Sequence, residues 1–429
     1  NIAIGKDALG ANTTGAANVA IGTSTLLVNT AGDNTGVGYA VLLANTTGSN
    51  NTGVGVNVLQ ANTTADDNTA IGRNSLLANT TGAENTAVGS QALDANTTGH
   101  KNTAVGKNAL TANTTGDYNV AIGRGAMTNC TTGDSNVAVG TGALDNTTTA
   151  SNNVAVGYYA LILNTTGTGN TGIGYQALDA STTANYNTAM GHVALSTNTS
   201  GTENTGLGSQ AMYANTTASN STGIGSQALY AQTTGGNNTA VGMQAGNSIT
   251  TGSNNTLIGY AADTGDGAAS TNEIVIGGAN AGAGATYASL GYGASNRVYA
   301  VTGSGGSWTF VSDERIKKDI TTQTALGLDF VNDLRPVSFK MKAPSEFPTN
   351  FVDYNAAKTT PRDTKTHYGL IAQEVKTALT TAGVNPGVDT DYLWNEQGGV
   401  QAVGYDSLVV SLVNAIQELS AKVEVLENN

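Results

Sequence analysis

The chain has 429 residues, with 56 glycines, only 11% charged and 5% aromatic residues, and a net charge of −13. That charge argues against nucleic acid as a partner, because phosphate binding needs a basic stripe. The 39% hydrophobic content recurs on a fixed period, which excludes the low-hydrophobicity disorder that Gly, Asn and Thr richness alone would suggest. The one cysteine, Cys130, excludes an intrachain disulfide. It is read as a buried, inert thiol in a column that otherwise carries apolar or small polar residues, since no cation beside it favours the thiolate. No apolar run reaches the ~20 residues of a membrane helix, and no signal peptide is visible. The chain opens inside a repeat motif, so an attachment or targeting segment is expected upstream.

The repeats come first. Asn1-Ile2-Ala3-Ile4-Gly5 returns as Asn68-Thr69-Ala70-Ile71-Gly72 and again as Asn238-Thr239-Ala240-Val241-Gly242. Sixteen units start between residues 1 and 255, every step being 17 except one of 16 between 18 and 34. The consensus is N-T-A-I/V-G-x-x-A-L-x-A-N-T-T-G-x-x. A long helix does not fit between two turns at this period, so each unit predicts one rung of a β-solenoid. The β-branched fourth position (Ile4, Val54, Val139, Ile173) is expected to face the core. The ninth is a core Leu or Met (Leu59, Leu93, Met127, Met212), and Gly with N-T-T-G supplies the turns. Stacking places like residues above one another, giving apolar and Asn ladders. Sixteen rungs at ~4.8 Å each make a rod of about 75–80 Å.

Residues 1–278 are therefore read as a rod ending in a degenerate cap, where Gly246 and Asp263 replace the core Leu and Ile274-Val275-Ile276 has lost the register. Two large apolar side chains per rung are few for a solitary solenoid, which points to an intertwined or side-by-side oligomer. The N-T-A-I-G units resemble the β-roll heads of trimeric bacterial adhesins, although those heads use a shorter period, and similar repeats occur in phage tail fibres.

Composition then changes. All five Phe, all five Pro, both Trp and most of the Lys and Arg lie towards the C-terminus. Residues 279–311 form a transition, with short strands expected at 297–301 and 307–311. Residues 312–429 read as a small α+β domain with a strand at 337–341 and a helix over 371–382. A final helix spans about 407–427, where Val409, Leu412, Ile416, Leu419, Val423 and Leu426 alternate at spacings of 3 and 4. That is an a/d seam; it suits a self-associating coiled coil or a helix lying on its own domain. The fold class is thus mainly β: an elongated 17-residue-repeat solenoid, then a small α+β domain with a coiled-coil helix.

Four segments occur in order after the rod: Ser312-Asp313-Glu314-Arg315-Ile316-Lys317-Lys318-Asp319-Ile320; Leu334-Arg335-Pro336-Val337-Ser338-Phe339-Lys340; His367-Tyr368-Gly369-Leu370-Ile371-Ala372-Gln373-Glu374-Val375; and Tyr405-Asp406-Ser407-Leu408-Val409. Together they resemble the intramolecular chaperone domain of endosialidase-type tail spikes. The resemblance implies a domain that trimerises, templates folding of the β-fibre before it, and is released by a cut between Val311 and Ser312. It also implies Ser312 as nucleophile and Lys317 as general base, a serine autoprotease acting once on its own chain. A serine hydroxyl is a weak nucleophile until a base takes its proton. Lysine serves as that base only when neutral, through burial or neighbouring positive charge, and Arg315 and Lys318 offer such charge. The bland alternative is a helix start, with Ser312 as N-cap and acids in the first turn.

Little else offers chemistry. His367 is read as structural, because a lone His makes a poor metal site. His100 and His192 are more than five repeats apart. The rod has no Trp or Phe for a sugar platform, so no turnover enzyme is expected in it, and no cofactor or metal. The expected partners are the chain itself, as a homotrimer, and a bacterial surface receptor or glycan, with no membrane insertion. A tail-fibre or spike protein of a phage virion is the leading reading. A cell-surface trimeric adhesin with a non-cleaving C-terminal clamp is the alternative.

Overall fold

The computed structural model describes residues 1–280, 282, 287–292, 296–301, 309–310, 325–348, 356–361, 364–386, 394–397, 400–405 and 408–428. The chain divides into two compact units, Asn1–Asp313 and Glu314–Asn429. The first is a parallel β-solenoid. Its seventeen short strands, β1 (Ile2–Ile4) to β17 (Ile274–Ile276), pair each with the next in register. The 16-residue step leaves the pairing intact, with Val19 opposite Thr35.

The rungs face the opposite way from the expectation. From the second unit on the third residue is buried, Ala or Gly everywhere but the sixteenth unit, where it is Leu257, whereas the β-branched fourth points outward; Ile4 is 59% exposed and Ile71 41%. Alternation along a strand allows only one of the two neighbours inside, and the interior volume decides which. Leu at the ninth position is fully buried and lies against the third residue of the following rung. Where that residue is Gly206, an added Cβ would already stand 3.2 Å from Leu195 Cδ1. One Leu and two Ala per rung fill the interior, and a branched side chain at the third position would overpack it.

Each rung closes through left-handed backbone. In the unit starting at 68, Asn74, Leu76 and Glu84 have φ of 58°, 49° and 61°. Such conformations cost non-glycine residues roughly 1 kcal/mol or more each. Burying the Leu side chain offsets part of this, about 2 kcal/mol. The fifth position admits glycine alone. Gly106 has φ +140°, and a Cβ on it would sit 2.4 Å from the Gly123 carbonyl oxygen of the next rung.

The expected Asn ladders are present, and there are two. In the first column, Asn68 Oδ1 accepts the backbone N–H of Asn85 at 3.0 Å, and the pattern repeats rung after rung. In the twelfth column, Asn79 Nδ2 donates to Asn62 Oδ1 at 2.8 Å and also to its own turn at Gly82. Both columns are buried, and pairing removes the cost of burying amides. Cys130 stands in the second ladder, not in an apolar column. Its thiol is buried, faces the Gly133 carbonyl at 3.8 Å, and is pushed up to about 11 by burial. The ladder breaks there: Asn113 Oδ1, Thr147 Oγ1, Asn164 Oδ1 and Ser181 Oγ have no protein partner.

The rod also runs one rung further than its motif. Ile274-Val275-Ile276 keeps register with Thr256–Ile258, Val275 is buried, and the Glu273 N–H takes the Asn role by donating to Asn255 Oδ1. Gly246 in place of Leu is balanced by buried Leu257 and Ile249. Strands β18 (Tyr287–Tyr292), β19 (Asn296–Val301) and β20 (Thr309–Phe310) finish the unit. β18 pairs parallel to the last rung, then the sheet turns antiparallel.

The second unit is α+β. It holds helix α1 (Leu328–Asn332), strand β21 (Val337–Phe339), strand β22 (His367–Gly369) and helix α2 (Ala372–Thr381). The hairpin β23 (Trp394–Gln397) and β24 (Val400–Val403) and helix α3 (Leu408–Glu427) complete it. Leu326, Phe330, Val375, Ala378, Leu379 and Leu408 form its core.

Candidate active site

Val311, Ser312 and Lys317 lie outside the described residues, as do Arg315 and Lys318. The described geometry is that of the other three ordered segments, which converge. β21 and β22 pair antiparallel, Val337 opposite Gly369 and Phe339 opposite His367, so the second and third segments form one ribbon. Arg335, just before β21, holds Glu374 in the first turn of α2 through two bonds, Nε to Oε2 at 3.2 Å and Nη2 to Oε1. The carboxylate raises the guanidinium pKa further. The Tyr405 hydroxyl accepts the backbone N–H of Leu370 at 2.8 Å, tying the fourth segment to the third.

His367 stacks on Phe339 with ring centroids 5.6 Å apart, in keeping with a structural role. Sequence reasoning left Glu374 without a role and missed the Tyr405 hydroxyl and Glu418. The signal for the first two was their place in the four ordered segments: each closes a segment against another. Glu418 had no such signal. It lies on α3, 90 residues beyond its partner, and accepts the Leu328 N–H at 3.0 Å at the start of α1.

Helix α3 has two faces. Leu408, Ser411 and Ala415 are buried in the unit, while Val409, Leu412, Ile416, Leu419, Val423 and Leu426 are all exposed, Ile416 at 65%. The seam is therefore not what attaches the helix to its own domain.

In the rod, His100 Nδ1 accepts the Ala83 N–H at 3.0 Å and Asp117 Oδ1 accepts the His100 N–H. Both serve a turn ladder. Among the described residues, no cluster of three or more His, Cys, Asp or Glu could hold a metal ion. No described helix is long and apolar enough to cross a membrane.

The chain thus holds a repetitive β-rod and a small α+β unit with an exposed helical seam. Residues 312–384 match the family described as Chaperone of endosialidase, a peptidase family, which supports a tail-fibre-type protein with a C-terminal intramolecular chaperone. No curated protein and no solved structure matches the chain.

Proposed function

We propose that this chain is a structural fibre or spike protein whose C-terminal domain assembles the rod as a homotrimer and then cuts itself off between Val311 and Ser312. The observation that carries the reading is the family match, which begins at Ser312 itself. The exposed seam of α3 supports self-association, because an a/d row left in water is stabilised by burial against its own copies.

The chemistry follows from the residue types. Lys317, neutral at the moment of reaction, takes the proton of the Ser312 hydroxyl. The Ser312 Oγ then attacks the Val311 carbonyl carbon, the C–N bond breaks, and the proton passes to the Ser312 nitrogen. Water hydrolyses the resulting ester to a Val311 carboxylate and a free Ser312 hydroxyl. Closure of the trimer around Lys317 would strip it of water and lower its pKa, which couples cutting to correct assembly. The rod then remains on a virion, turned towards a bacterial surface.

The test is the intact mass of denatured wild-type chain beside Ser312→Ala and Lys317→Ala. The expected result is two wild-type fragments meeting at Val311 and Ser312, with both variants whole. A wild type that forms its oligomer and stays whole would make the domain a permanent clamp and put the adhesin reading in its place.

A further inference from the structure

The rod's charges are sorted by column. It contains five Lys and Arg residues before residue 290: Lys6, Arg73, Lys101, Lys107 and Arg124. Four of them occupy the sixth position of their rung, directly after the glycine turn; only Lys101 does not, and it faces Glu84 at 3.9 Å. No acidic residue occupies that position in any of the sixteen units. The acids sit in other columns, such as Asp66, Asp117 and Asp134 in a turn ladder.

From the fifth rung to the twelfth, the sixth position reads Arg73, Ser90, Lys107, Arg124, Thr141, Tyr158, Tyr175 and His192. The three cations are exposed, and their heads make no ion pair or side-chain hydrogen bond among the described residues. The aromatic rings that continue the column are exposed too and stack on one another, Tyr158 to Tyr175 at 5.6 Å and Tyr175 to His192 at 5.3 Å. Stacking turns the inner ring faces toward each other, so the column offers hydroxyl groups and ring edges to a ligand rather than a broad flat platform. At ~4.8 Å per rung the stripe is about 34 Å long.

We infer that this column is a binding stripe for an acidic glycan lying along the rod axis. The inference rests on the fibre reading for its biological setting but not for its chemistry. A row of cations without an ion pair among the described residues, on a chain of net charge −13, offers a polyanion attraction along the rod. Nucleic acid fits poorly, since its charges lie every ~1.7 Å and its binding depends on many phosphate contacts. Three cations interspersed with Ser, Thr and Tyr hydroxyls suit a polymer that is rich in hydroxyls and sparsely charged. Carboxylate and phosphate groups on such a glycan would satisfy the same heads, Arg73 and Arg124 by paired bonds and Lys107 as a point charge.

The test uses the full chain and four immobilised probes: a polyuronate, a poly(glycerol phosphate), neutral dextran and duplex DNA. The variant is Arg73→Ser, Lys107→Ser, Arg124→Thr, which uses residues that the same column carries elsewhere. The expected result is salt-sensitive binding to one or both acidic polymers, none to dextran, and a loss of about tenfold or more in the triple variant. Which acidic probe binds identifies the charged group. Equal binding by variant and wild type, or a preference for DNA or dextran, would overturn the assignment. Self-cleavage and oligomer size are read on the same samples, so a wild type that cuts normally but binds neither acidic polymer sinks this inference alone, and a wild type that binds but fails to cut sinks only the chaperone reading.

Discussion

The two units of this chain solve the folding problem in opposite ways. In the rod every rung meets only its neighbours, 17 residues away, and the same Leu, Ala and Asn contacts recur from end to end. Stability in such a stack is close to a sum of neighbour terms, and no rung is a privileged starting point. The second unit has a closed core, in which Phe330, Val375, Leu379 and Leu408 come from three helices. Its elements are tied across long sequence separations, as from Leu328 to Glu418. A repetitive stack can begin at any rung and in any register, whereas a closed core has one solution. If the C-terminal unit assembles the rod as proposed above, that contrast is its physical reason: the unit with one solution would set the start of the unit with many.

The largest test of the contrast is Gly106→Val. No L side chain fits that backbone or the 2.4 Å gap to the next rung, so a loss on the order of 3 kcal/mol or more is expected. Because the damage is confined to neighbouring rungs, urea unfolding of the rod should split into two transitions. A single unshifted transition would show that the stack tolerates a missing glycine turn.

Cys130 sharpens the same point on a smaller scale. Its thiol is held near 11, against an ordinary 9.0, so between those values the unfolded chain has released a proton that the folded rod keeps. Stability is therefore full below pH 9 and falls as pH rises towards 11, by up to about 1.4 kcal/mol per unit. Cys130→Ser should flatten that slope in urea midpoints measured at pH 7, 9 and 10.5. Cys130→Asn should raise stability at pH 7 by about 1 kcal/mol, by giving Asn113 Oδ1 a donor and Thr147 Oγ1 an acceptor. A lower midpoint for Cys130→Asn would mean that the gap in the ladder is filled in another way.

The smallest effect on folding is expected in the second unit. Leu412→Asn with Ile416→Asn changes two exposed seam residues, so unfolding of the unit should move by less than about 0.5 kcal/mol. Association, read by light scattering, should be lost. A marked drop in stability without a change in mass would place the seam inside the protomer.

Much of this was legible in the sequence because repetition amplifies it. Sixteen copies of one unit establish the period, the turn positions, the core Leu and the Asn columns. Spacing alone marked α2 and α3, since apolar residues at 3 and 4 survive any tertiary arrangement. The order of four segments pointed to Ser312 and Lys317. Pairwise ties such as Arg335 to Glu374 and Leu370 to Tyr405 were not legible, because residues 35 to 39 positions apart carry no periodic signal.

The clearest limit lies within a single rung. The sequence determined that a three-residue strand of alternating small and branched side chains recurs every 17 residues. Only the closed rung decided which of them turns inward. Propensity favours burying Ile and Val, but Leu of the rung before already fills the interior, and beside it there is room for Ala or Gly alone. Volume, a property of the assembled stack, overruled the hydrophobicity of the individual residue.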